Sequence, residues 1–170
     1  MFKKINWTYT FTSAAIGSIL FCICAFIFIE MSDYTASWIL WVGSLLFFFT
    51  MAGTTVMESK RRGGNESTVA LVFASIVTTA VGVTLSLVIC FIILMIVDPG
   101  FLTSAPATKV IHDAPAATQQ GKTGGLAFEV FASATLLCFF GGLIAAVTLP
   151  FYVKRNQTKD IKEPTPLKQK

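Results

Sequence analysis

The sequence predicts an all-α integral membrane protein, a four-transmembrane-helix bundle with both termini at the cytoplasmic face, and three observations lead there. Of 170 residues, 54% are hydrophobic and only 13% are charged, against roughly 25% charged in an ordinary soluble domain. The apolar residues gather into four blocks free of Lys and Arg, residues 9–29, 36–57, 68–97 and 126–153. Each reaches the length of about 20 residues that crosses a bilayer. The basic residues then fall on one side of the alternation. Lys3, Lys4, Lys60, Arg61, Arg62, Lys154, Arg155, Lys159, Lys162, Lys168 and Lys170 share a face, and only Lys109 and Lys122 lie on the other. Lys and Arg resist translocation, so the face with eleven of them is expected to be cytoplasmic.

Residues 1–8 are the expected cytoplasmic N-terminus. The block at 9–29 follows Lys3-Lys4 as a signal peptide would, but its apolar core exceeds the usual 7–15 residues of a signal h-region and no A-x-A-like site precedes Glu30. Phe21 stands where a lipoprotein signal needs a small residue before Cys22. The block therefore reads as a retained first transmembrane helix. Residues 30–35 form a short external turn before the second helix, 36–57.

The cytoplasmic loop 58–67 carries Lys60, Arg61 and Arg62, diluted by Glu58 and Glu66. Three basic residues so diluted suit anionic lipid headgroups and a topology signal rather than nucleic acid, for which no partner role is expected. Gly63-Gly64 lets the chain reverse, and Ser67 or Thr68 can cap the third helix, 68–97. At 30 residues that helix is longer than a bilayer core needs and is expected to tilt or project. The external loop 98–125 is rich in Ala, Pro and Thr, has no apolar period and no Cys, and is expected to be extended or partly disordered. The fourth helix, 126–153, contains Pro150, which is expected to end or kink it. The tail 154–170 begins with Lys154-Arg155 and holds six basic and two acidic residues, a composition suited to an anionic membrane surface.

The polar-tipped aromatics agree with this threading. Trp7, Tyr9, Tyr34, Trp38, Trp41 and Tyr152 all fall at or near block ends, whereas most of the sixteen Phe lie deep inside the blocks. The sequons at Asn6, Asn65 and Asn156 all fall on the cytoplasmic side, so no glycosylation is expected.

Helices in lipid pack where small residues let backbones approach. The third block repeats such residues at every fourth position, Ala70, Ala74, Thr78, Gly82, Ser86 and Cys90, and the fourth does so with Ala134, Cys138, Gly142 and Ala146. A weaker series, Thr10, Ala14, Ser18 and Cys22, lies in the first. Four residues overshoot a turn by about 40°, so the longest series winds about 200° and is expected to meet two neighbours, making the third helix central. A faint duplication matches Ser18, Cys22 and Glu30 to Ser86, Cys90 and Asp98, with "LLFFF" at Leu45 resembling "LLCFF" at Leu136. Such a match suggests a parallel repeat.

The chemistry is mostly absent. The one histidine, His112, lies in the external loop beside Asp113, so the usual intramembrane haem ligand is missing and no cofactor or metal is expected. Cys22, Cys24, Cys90 and Cys138 lie within helices and read as packing residues. Glu129 is the one acid inside a block, about one turn into the fourth helix, and is either an interfacial carboxylate favoured by the helix N-terminus or a candidate proton or cation site. No nucleophile–base pair, carboxylate dyad or phosphate loop recommends an enzyme.

The expectation is a non-enzymatic membrane protein that acts through helix packing, as an accessory subunit of a membrane complex or as a homo-oligomer. The alternative is a small transporter or channel using Glu129 and the hydroxyls of Thr78, Thr79, Thr84, Ser86, Ser133 and Thr135. A membrane enzyme ranks third. The absence of external cysteines and the retained first helix fit a bacterial inner membrane.

Overall fold

The computed structural model describes residues 7–61, 67–97 and 124–159. Arg62, the loop with His112 and the tail beyond residue 159 lie outside the described residues. What is described is almost entirely helical. Helix α1 spans Trp7–Met31 and α2 spans Trp38–Arg61. Helix α3 spans Thr68–Val97, and a final rod joins α4 (Gly124–Ala132) through a π-helical turn (Ser133–Cys138) to α5 (Phe139–Lys159). Four of these stretches are long and apolar enough to cross a membrane: Trp7–Met31, Tyr34–Arg61, Thr68–Val97 and Ala127–Val153.

Local chemistry sets the element ends. At the C-terminus of α1, Ser32 adopts a left-handed φ of 49°, and its N–H bonds back to the Phe28 carbonyl at 3.0 Å. This is the αL stop usually made by glycine. Here the Ser32 hydroxyl adds a bond to the Ile29 carbonyl at 2.8 Å. Asp33 then starts the next element: its Oδ1 accepts from Thr35 N–H at 2.9 Å and its Oδ2 from the Thr35 hydroxyl at 2.8 Å. A 3₁₀ turn, Tyr34–Ser37, leads into α2. Lys60 and Arg61 close α2 in its last turn, where cations complement the helix dipole. Ser67 caps α3, its Oγ accepting from Ala70 N–H at 3.3 Å.

Pro150 does not end the last helix, which corrects one of the two outcomes expected from the sequence, an end or a kink. It sits inside α5, which continues to Lys159. Proline removes one ladder hydrogen bond, and Pro150 is fully buried, so packing offsets that single loss.

The helices stand at the corners of a four-sided bundle. Helix α1 packs along α2 and α3, the α4–α5 rod packs along the same two, and α2 and α3 also touch across the short diagonal. Ser18 meets Gly82 and Cys22 meets Ser86 and Cys90, so α1 and α3 run in the same direction. Ser44 meets Cys138, and Gly141 lies against Phe48, so α2 and the rod are likewise parallel. Helices of like direction are therefore neighbours. A two-fold along the bundle axis would set α1 diagonal to α3, so it does not relate the two hairpins. The expected centrality of α3 is shared by α2, because each contacts the three other helices.

Candidate functional site

The bundle interior is where the singled-out residues meet. Each helix presents a ridge with a step of four residues. On α3 the buried positions are Ala74, Thr78, Gly82, Ser86 and Cys90, with Ala70 half-buried. Ala134, Cys138, Gly142 and Ala146 are all buried, and so are Thr10, Ala14, Ser18 and Cys22 on α1. The ridge of α2 is different: Gly43, Phe47, Met51, Thr55 and Ser59 are buried at the same step, but two of them are large.

The seam between α1 and α3 is a polar interlock. The Ser18 hydroxyl lies 2.7 Å from its own Ala14 carbonyl and 2.7 Å from the Gly82 carbonyl across the seam. The Ser86 hydroxyl donates to the same Gly82 carbonyl at 3.0 Å. One backbone oxygen is thus shared by two hydroxyls from two helices. One turn on, the Cys22 thiol lies 3.7 Å from the Ser86 carbonyl and 3.8 Å from the Cys90 sulfur.

The middle of the bundle is filled from α2. The Phe47 side chain is completely buried and occupies notches left by two glycines. A Cβ at Gly82 would come within 3.0 Å of the Phe47 ring, and one at Gly17 within 3.2 Å of that ring and 2.8 Å of Met51 Cε. Gly43 makes the reciprocal notch, where a Cβ would lie 2.8 Å from Cys24 Cβ. Where α3 meets the last rod, Gly142 lies against Thr79, and an added Cβ would collide with Thr79 Cγ2.

The hydroxyls are mostly spent on backbone. Thr78, Thr84 and Ser86 each donate to the carbonyl four residues back, which is how a hydroxyl satisfies itself in an apolar helix. Thr55 and Ser75 bond each other at 2.9 Å across the α2–α3 diagonal, and Cys138 donates to Ser44 at 3.7 Å. Thr79 is the exception: it is 1% exposed, and its hydroxyl has no hydrogen-bond partner among the described residues. Of the six candidate transport hydroxyls, Thr78, Thr79, Ser86 and Ser133 are buried, whereas Thr84 and Thr135 are exposed.

Glu129 is half-buried in α4, with Phe128 exposed and Val130 buried beside it. Among the described residues, no group of three or more His, Cys, Asp and Glu side chains could hold a metal ion. At the end where α1 begins and α2 finishes, the Arg61 guanidinium lies 5.1 Å over the Tyr9 ring, and Lys60 is exposed beside it. The backbone of Lys154 and Arg155 reaches the same end on α5.

Sequence reasoning singled out the small-residue ridges but not Phe47, Gly17 or Gly43, and it named Thr79 only as a candidate transport hydroxyl. It also missed the π-helical turn. Scanning every fourth position for burial-prone residues of any size would have exposed the α2 ridge; nothing in "SATLLC" signals a π turn. No family model, curated protein or solved structure matches this chain.

Proposed function

We propose that the chain is an integral membrane protein crossing a bacterial inner membrane four times, with both termini cytoplasmic. In this reading it acts by helix packing, as an accessory subunit of a membrane complex or as a homo-oligomer. The outward faces support the membrane reading. Ile16, Ile19, Ile23 and Ile27 on α1, and Val88, Ile92 and Ile96 on α3, are exposed, and such surfaces are stable in hydrocarbon but not in water. The eleven-to-two division of basic residues supports the orientation.

One observation carries the functional reading. The core holds Phe21, Phe28 and Phe47, all completely buried, while Ser44, Thr78 and Ser86 donate to carbonyls of their own helix. A conduction path needs polar groups turned toward a wet lumen, and this interior offers packed rings and mainly hydrogen-bonded hydroxyls, with Thr79 the exception. That leaves the outer surface and the ends to carry function, through contact with another membrane protein and with anionic headgroups.

Flux measurement in proteoliposomes tests the choice between packing and transport. The packing reading predicts no proton or monovalent-cation flux above that of empty vesicles, with Glu129→Gln indistinguishable from the parent. A flux abolished by Glu129→Gln would replace it with transport.

A further inference from the structure

We propose that Cys22 and Cys90 form an oxidisable dithiol that closes to a disulfide between α1 and α3, with a quinone dissolved in the bilayer as electron acceptor. This rests on the membrane reading above. Two observations carry it. The two sulfurs lie 3.8 Å apart, in contact, on neighbouring parallel helices, and both residues are buried. The Ser86 carbonyl, 3.7 Å from Cys22 Sγ, helps hold that sulfur against α3. The second observation is access. A groove of about 240 Å³ on the flank between α1 and α3 is lined by Ile19, Ile23, Phe26, Ile89, Ile93 and Cys22 itself. Apart from the thiol these walls are hydrocarbon, so what reaches Cys22 is soluble in hydrocarbon. The other two cysteines are placed differently: Cys24 faces Gly43 of α2, and Cys138 bonds Ser44.

The chemistry suits an apolar site. Closure breaks two S–H bonds and forms one S–S bond. The two electrons and two protons released reduce the quinone to a hydroquinone. All reactants and products are uncharged, as burial away from water requires. The competing use of a thiol pair, binding a soft cation such as Cu(I), needs both thiolates. It would leave a net negative charge among isoleucines, so the disulfide is the favoured outcome. Once formed, it would fasten the α1–α3 seam.

The test uses the full chain in phosphatidylcholine vesicles. Flotation with the vesicles comes first, and a protein that does not float overturns the membrane reading rather than the dithiol. Floated protein is exposed to a decyl-substituted benzoquinone or to ferricyanide, which stays in water. It is then denatured and alkylated, and the modified thiols are counted by intact mass and mapped by peptide. The expected result is that the quinone removes two of the four thiols and links the Cys22 and Cys90 peptides, while ferricyanide removes none. Cys22→Ala and Cys90→Ala should each abolish the loss, and Cys24→Ala should leave it intact. Four alkylated thiols after quinone, a quinone adduct on a single cysteine, a different linked pair, or equal loss with ferricyanide would each overturn the proposal.

Discussion

At the residue scale, Gly142 and Thr79 mark a close approach between α3 and the last rod. A Cβ at position 142 would collide with Thr79 Cγ2 without a shift of helix or side chain. Gly142→Ala should therefore cost about 1–3 kcal/mol, the usual range for overpacking. Thr79→Ala removes both the obstructing methyl and a buried hydroxyl that has no partner, so the double variant should recover most of the loss. Denaturant titration in detergent measures both, and a Gly142→Ala penalty unchanged by Thr79→Ala would contradict the contact. Phe47 and Ser18 rank the two kinds of force in the core. Emptying the notch between Gly17 and Gly82 with Phe47→Ala should cost about 3–5 kcal/mol. Removing the Ser18 hydroxyl from its bond to the Gly82 carbonyl should cost only about 0.6–1.7 kcal/mol, as interhelical hydrogen bonds in membranes do. Comparing the two unfolding curves checks the order, and an equal or reversed order would mean that polar bonding rather than packing holds the bundle.

At the element scale, the last rod contains a π-helical turn, Ser133–Cys138, and such turns amount to one inserted residue. Deleting Thr135, which is exposed, should restore an α ladder and leave the orientation of Ala127 and Val130 relative to Gly142 and Ala146 unchanged, because the π turn absorbs its extra residue locally. Helicity by circular dichroism and the melting temperature should both persist; a large fall in melting temperature would mean that the extra residue does not merely bulge out of a continuous α register. The four helices were legible in the sequence because apolar length and helix spacing are local properties, visible in Tyr9 to Ile29 or Thr68 to Val97 without knowing any partner. The ridges of Gly82 and Gly142 were legible for the same reason. What filled them was not. Phe47 is one of three consecutive phenylalanines, and only the partner helices decide that it points inward while Phe49 is 65% exposed. Pro150 does not end its helix because the packing that surrounds it offsets the single hydrogen bond lost.

At the scale of the whole molecule, like-directed helices lie side by side and the basic ends gather at one pole, where Arg61 lies over Tyr9. The exposed Trp7 and Tyr152 stand near that pole, and Trp38 and Trp41 near the other. These rings sit where two membrane interfaces would be. If basic residues fix the orientation, replacing Lys60, Arg61 and Arg62 with Gln should give a mixed population in which part of the second hairpin is wrongly oriented. Impermeant maleimide labelling of single cysteines added at the loops reads this, and a uniform pattern in that variant would assign orientation to another segment. The central claim is that a solid, apolar-faced bundle works through what it packs against. The most direct test is affinity isolation from native membranes in a mild detergent, with composition and stoichiometry read by native mass spectrometry. Function through packing predicts one defined assembly, either several copies of this chain or a fixed ratio with a larger membrane protein. Recovery of a lone monomer under conditions that preserve other membrane complexes would contradict it.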